Sequence, residues 1–458
     1  MTMRGHLFAL VLLGLSACAG GAVRHPVQQP ISDRFTSIAL PPMRQFTAAG
    51  GAPFLRSNSE IVQDFLDLSF RLEKGRPIKA FSRFVGPITV RMKGAVPGSA
   101  HKDLVDLLGR LQNEARLPVH LASGDEASIT IEFLPRAQMQ SRAQDAACFV
   151  VPRVSSWADY RRASQADLDW TTYMSRERAA VFIPSDTSPQ EVRDCMHEEI
   201  AQALGPLNDL YRLPDSIFND DNIHSVLTDF DMVILRTAYA AELQPGMSEA
   251  AAKEALPGVL ARDNPAGNHP GSHSTQTPRA FGEAIARALG REARDTGRVA
   301  AAEEALAIAR SQGWQDHRTG FAWLTLGRVQ GRGKAATARA AFANAAVMFR
   351  ARNLPLHAAH ADLQLAMFAL AAQDWQGAIS LADQSISAAR IGQDAALLAS
   401  LMMVKAAALE KTGQQSTADA LRLDSLGWAR YGMASNAAVR RHLALIDDLA
   451  NQAGKPTQ

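Results

Sequence analysis

Aromatic residues are scarce, at 6% of 458, and charge of either sign barely dominates: 48 Lys and Arg against 46 Asp and Glu, a formal net charge of +2. A nucleic-acid surface needs a basic stripe with interleaved aromatics, and none is present, so nucleic acid is excluded as a partner. Beyond the opening residues no apolar run approaches the roughly 20 residues that span a bilayer. No phosphate-cradling glycine loop and no Gly-x-Ser-x-Gly elbow occurs, which sets aside P-loop and serine-hydrolase chemistry. Cysteine is rare too, with three in the chain. What is plentiful is apolar side chain, 47% of the residues, enough for real cores over a length that allows two or three domains.

The chain opens with Met1 and Arg4, an apolar run over 7–15, and then Leu15-Ser16-Ala17-Cys18. A basic start and a short apolar core are the layout of a secretory signal. The ending resembles the lipobox of bacterial lipoproteins. That resemblance implies removal of residues 1–17 and acylation of Cys18. With Ala19 following, not Asp, it implies an outer-membrane lipoprotein facing the periplasm, anchored through several acyl chains. Once Cys18 is spent on lipid, Cys148 and Cys195 remain. In an oxidising compartment an even remainder suggests one disulfide, the alternative being two buried thiols.

Residues 18–55 are rich in Gly, Ala, Pro and Gln and read as a flexible tether. An α/β domain follows over 56–256. Ile61, Phe65, Leu68 and Leu72 have helical spacing, as do Leu104, Leu107, Leu108 and Leu111. Strands are expected over 88–92, 129–133, 148–151 and 180–183. Ser188-Pro189-Gln190-Glu191 has the form of a capping box with Pro at the first helical position, opening a helix that stops at Gly205-Pro206. Residues 257–279, with several Pro and Gly, read as a linker. From 280 to 453 the chain is Ala/Leu/Arg-rich and helical. Ala338, Ala378 and Ala418 recur at regular spacing after turn-like stretches, and Trp323, Leu326, Gly327, Ala338 and Phe342 resemble the tetratricopeptide helix-pair pattern at a longer period.

The chemistry-bearing stretch is 197–209, His-Glu-Glu-Ile-Ala-Gln-Ala-Leu-Gly-Pro-Leu-Asn-Asp. Zinc peptidases place two His one helical turn apart with Glu after the first. Here position 201 is Ala. The tail from Gln202 through Gly205 to Asp209 resembles the metzincin segment, displaced by one residue relative to His197. The resemblance implies zinc held by His197, Gln202 and Asp209, with His224 as another third ligand, Glu198 as general base and Phe218 beneath the site in place of Met. It needs a π-bulge to bring Gln202 onto the face of His197, since the five-residue step overshoots by about 140° in a regular helix. The acidic residues Asp215, Asp220, Asp221, Asp229 and Asp231 lack the spacing of a calcium loop and read as turns and caps.

Asp64-Phe65-Leu66-Asp67-Leu68, the segment 83–90, the His197 helix and Gln244-Pro245-Gly246-Met247 resemble the domain-of-unknown-function 2927 family of proteobacterial lipoproteins, over roughly 55–250. The fold expected is therefore α/β, a zincin-like mixed sheet with an active-site helix, followed by an all-α helical-repeat domain. Two functions fit: a zinc-dependent, metzincin-like peptidase domain of reduced or lost activity, or a non-catalytic envelope scaffold whose repeats bind a protein or peptide partner.

Overall fold

The computed structural model describes residues 38–47, 54, 56–73, 75–143, 146–271, 275–290, 295–330 and 333–451. Cys18 and the expected signal peptide lie outside them. The chain divides into two compact units, 46–276 and 277–458, the latter including the described residues before Phe46.

The first unit is α/β. Its elements in chain order are α1 (Asn58–Ser69), β1 (Ile88–Gly94), α2 (Ala100–Asn113), β2 (Val119–Leu121), β3 (Ile129–Leu134), α3 (Arg136–Gln140), β4 (Phe149–Pro152), α4 (Trp157–Arg162), β5 (Ala179–Pro184), α5 (Pro189–Leu204), α6 (Asp229–Ala238) and α7 (Glu249–Asp263). The four strands expected from the sequence are β1, β3, β4 and β5; three-residue β2 is too short to leave a period. The sheet order is β2-β1-β3-β5-β4. All neighbours run parallel except β4, an edge strand antiparallel to β5. β5 is buried along its whole length, as a strand covered on both faces must be.

β5 leads into α5. Ser188 caps α5 by accepting from the Glu191 N–H, and Pro189 fills the first turn. The reciprocal half of the capping box does not form, because the Glu191 carboxylate bonds Arg136 and Thr187 instead. Complete boxes occur at Ser57–Glu60 and Thr228–Asp231. Most of α5 is buried, on every side, so it lies inside the unit and not upon it.

Two devices fix α5. Cys195, in mid-helix, is joined to Cys148 just before β4, with Cα atoms 6.0 Å apart. At the other end the buried Arg176 guanidinium donates to the carbonyls of Gln202, Ala203 and Gly205 at 2.6–2.7 Å. A cation belongs at a helix C-terminus, where the last carbonyls lack intrahelical partners. Arg176 also stacks on Trp170, 4.7 Å from the ring centre. Its burial lowers the guanidinium to about 10, still cationic at neutral pH.

The expected linker begins later than 257. Pro257 lies within α7, which continues to Asp263 because Leu256, Val259 and Leu260 keep an apolar stripe in the core. Proline removes one backbone donor, and the packed stripe outweighs that loss.

The second unit is all-helical: α8 (Arg279–Leu289), α9 (Asp295–Ser311), α10 (His317–Val329), α11 (Ala335–Arg350), α12 (Pro355–Ala371), α13 (Trp375–Ile391), α14 (Ala395–Lys411), α15 (Gln415–Gly432) and α16 (Asn436–Asn451). Each helix packs on the next, the arrangement of helical repeats. Backbone in the left-handed region recurs at Gly313, Gly333, Asn353, Gln373, Gln393 and Gly413, once per turn and evenly spaced. That period, and not tetratricopeptide length, sets the spacing of Ala338, Ala378 and Ala418, all buried. Gly327 lets α10 approach α11, since a Cβ there would sit 2.6 Å from the Phe342 ring.

The expected tether is shorter than 18–55. Within it, Arg44 donates its N–H to the Gly427 carbonyl and pairs with Asp424. Arg430 and Arg440 donate to the carbonyls of Pro41 and Ile38. Composition marked this stretch as unstructured; residues 38–45 are held by one main-chain bond to α15 and by arginine side chains of α15 and α16.

Replacing Arg176 strands three buried carbonyls, each costing on the order of 1–3 kcal/mol. Arg176→Gln is expected to destabilise the protein by about 3 kcal/mol in chemical denaturation. A loss below about 1 kcal/mol would show that the cap does not hold α5.

Candidate functional site

The helix α5 is α-helical throughout. The expected π-bulge is absent from it, so His197 and Gln202 do not share a face. At about 100° per residue the partner of His197 is Ala201, and the partner of Gln202 is Glu198. These two pairs have different surroundings.

His197 is buried, and its Nδ1 accepts the Leu227 N–H at 3.1 Å. An imidazole that accepts at Nδ1 carries its proton on Nε2. A metal-bound histidine shows the opposite pattern: it donates from the nitrogen that is not ligated. Burial, then Arg193 and Arg110, hold the imidazole well below its usual value and therefore neutral. The same two guanidinium groups oppose any added cation.

The next residues face a cluster of carboxylates. Carboxylate oxygens of Glu198 and Glu199 and Cys148 Sγ lie within 4.8 Å of one another. Cys148 is spent in the disulfide and offers no thiolate. Asp209 and Asp220, on the irregular stretch after α5, and Glu73, on the turn after α1, lie within electrostatic reach. Burial and then Glu73 and Asp220 raise Glu198 to about 7. Burial, Glu198 and Glu73 raise Glu199 well above the carboxylate range. Burial and Asp220 do the same to Asp209. Asp220 itself rises to about 6.

Glu198 and Asp209 thus lie within electrostatic reach of one another, while the structure sets Glu198 beside Glu199 and leaves His197 apart. Gln202 lies one turn from Glu198, and its main-chain carbonyl accepts from Arg176. Phe218 is buried in the core, and its carbonyl accepts the Leu210 N–H, fastening the Asp209 loop. His224 lies 2.9 Å through Nε2 from the Pro214 carbonyl. Of the acidic residues read as turns and caps, Asp221 accepts from Ile223 N–H, Asp215 pairs with Arg56, and Asp231 caps α6 while accepting from Ser216. Asp220 belongs instead to the cluster. Glu199 and Asp220 were visible as acidic residues near the motif; Glu73, more than a hundred residues away, left no signal.

The class defined by fold and site is a mixed α/β unit with a carboxylate-faced central helix, joined to helical repeats. Residues 58–258 match the model of the family described as Protein of unknown function (DUF2927). No curated protein and no solved structure matches the chain.

The raised carboxylates set a pH dependence. Groups whose folded values exceed their unfolded ones contribute stability that is full below the unfolded value and is lost as pH rises through the folded one. Glu198, Glu199, Asp209, Asp220 and Asp231 all act in this direction. His197 and His442, lowered by burial, act oppositely below about 6.5, but they are fewer. In metal-free buffer the melting temperature is expected to fall between pH 5 and pH 7.5, and less steeply in Glu199→Gln. A melting temperature that rises over this interval contradicts the cluster.

Proposed function

We propose that this chain is an envelope lipoprotein, anchored through Cys18, that works as a non-catalytic scaffold. Its α/β unit is a zincin-like platform altered beyond zinc-peptidase chemistry, and its helical repeats take a protein or peptide partner. The observation that carries this reading is the hydrogen bond from Leu227 N–H to His197 Nδ1.

Zinc fits these residues poorly. It takes His, Cys and carboxylate ligands in a tetrahedral set, with His the core of the peptidase site. The imidazole at 197 is turned to the core in the wrong tautomer, Gln202 is a step off its face, and Cys148 is oxidised. No hydrolytic step is therefore assigned to Glu198. The mixed sheet leading straight into a buried helix supports the zincin-like layout, while the side chains that remain support binding over catalysis. The consecutive packing of α8 to α16 supports a solenoid, a form that presents extended surfaces to partners.

The test is zinc retention with a peptidase assay. The full chain, incubated with ZnCl2 and gel-filtered, is expected to keep far less than one zinc and to leave unfolded casein uncut. Stoichiometric zinc together with zinc-dependent cleavage that Glu198→Gln abolishes would overturn the scaffold reading.

A further inference from the structure

Residues 38–45 and the helices α15 and α16 belong to one compact unit. The segment, Ile-Ala-Leu-Pro-Pro-Met-Arg-Gln, contains neither helix nor strand, and none of its residues is fully buried. What fastens it is chiefly its main chain. Arg430 on α15 donates to the Pro41 carbonyl at 2.6 Å, and Arg440 on α16 donates to the Ile38 carbonyl at 3.2 Å. The Arg44 N–H donates to the Gly427 carbonyl at 3.0 Å. One side chain of the segment is recognised as well: Arg44 pairs with Asp424 and lies 5.8 Å from the centre of the Trp428 ring.

The helix surface beneath is shaped for a peptide backbone. Gly427 sits within α15, where glycine is unfavourable. A Cβ there would stand 3.0 Å from Arg44 Cγ and 3.3 Å from the Pro42 carbonyl oxygen. Both are tighter than ordinary contact, so the missing side chain is what admits the segment. Asp424, Gly427 and Arg430 follow one another at three-residue steps, which makes successive members neighbours on the helix surface. Clamps on carbonyls accept proline, which keeps its acceptor. Pro41-Pro42 favours the extended form and lowers the entropy lost on docking.

The segment is also easy to dislodge. An ion pair whose Arg44 side chain is 54% exposed contributes little. No residue of 38–45 is a buried anchor of the kind that dominates tight interfaces. Tethering compensates, since a short linker gives an effective concentration on the order of millimolar.

We propose that this face of α15 and α16 is a docking site for an extended segment of another protein with the pattern Pro-Pro-x-Arg, and that residues 38–45 occupy it until such a segment displaces them. A second copy of the chain is the poorer occupant. Exchanging identical segments makes the same contacts and adds the entropic cost of association. A foreign segment gains by placing larger apolar side chains at the half-buried positions of Leu40 and Met43. The inference rests on the scaffold reading and deepens it, giving the repeats a located surface and a partner chemistry.

The probe is a fluorescein-labelled peptide copying residues 38–47, titrated into the full chain and followed by anisotropy. The wild type is expected to bind it weakly, because the resident segment competes. Arg44→Glu sets like charge against Asp424 and frees the face; the peptide is expected to bind that variant about tenfold more tightly. Arg44→Ala is expected to show the same gain at smaller size, and serves should the first variant not fold. Adding Gly427→Leu to either is expected to abolish binding, although leucine suits a helix better than glycine. Adding Arg430→Gln together with Arg440→Gln is expected to weaken binding by about tenfold. If residues 38–45 served only to stabilise the repeats, both Arg44 variants would melt lower and still not take the peptide, and that result overturns the site. So does binding that Gly427→Leu leaves unchanged. A wild-type dimer in light scattering that Arg44→Glu dissolves would assign the face to a second copy and overturn the partner named here. None of these outcomes bears on the scaffold reading, which zinc retention and peptidase activity decide by themselves.

Discussion

Arg176 holds the C-terminal end of α5 by three hydrogen bonds to carbonyls that would otherwise be orphaned. The guanidinium is buried, and what offsets its desolvation is the negative end of the helix and the face of Trp170. With that end fixed, Gly205 and the chain beyond it leave the helix in one direction, and Asp209 comes within electrostatic reach of the α5 carboxylates. The disulfide from Cys148 fixes the same helix in its middle and ties it to the sheet edge. By loop-closure entropy a bridge over 47 residues contributes on the order of 4 kcal/mol, much of the usual stability of a domain.

A helix held this firmly has no freedom to rotate, so its register decides its chemistry. One face carries His197 and Ala201 into the core, where Leu227, Arg193 and Arg110 surround the imidazole. The neighbouring face carries Glu198 and Gln202. A one-residue displacement in the motif thus turns the imidazole into the core and leaves carboxylates on the neighbouring face. Burial and neighbouring carboxylates raise Glu198 and Glu199 together, so the two favour their protonated forms.

Much of the fold was legible because its signals are local. The strands of the sheet, the start of α5 at Ser188-Pro189 and its stop at Gly205 follow from apolar period and cap residues. So does the change to helical repeats near residue 280. Local signals also misled. Pro257-Gly258 reads as a break, yet the core holds α7 through it. Residues 38–45 read as tether, yet a main-chain bond to α15 and arginine side chains of α15 and α16 hold them, and composition does not encode such contacts. At the site, the motif drew attention to His197, while the charges that act on Glu198 came from distant places: Glu73 after α1, and Asp220 in the loop before α6. Arg176, remote from the motif, was legible in no pattern, because capping three carbonyls needs only one arginine in the right place.

The imidazole of His197 belongs to the core, and the carboxylates belong to the site. The most direct test of that division is long-range proton–nitrogen NMR of His197 in the full chain. A neutral ring protonated on Nε2 is predicted, unchanged from pH 5 to pH 8 and unmoved by ZnCl2 or CaCl2. Titration of that ring near 6.5, or a zinc-induced shift of either nitrogen, would contradict it.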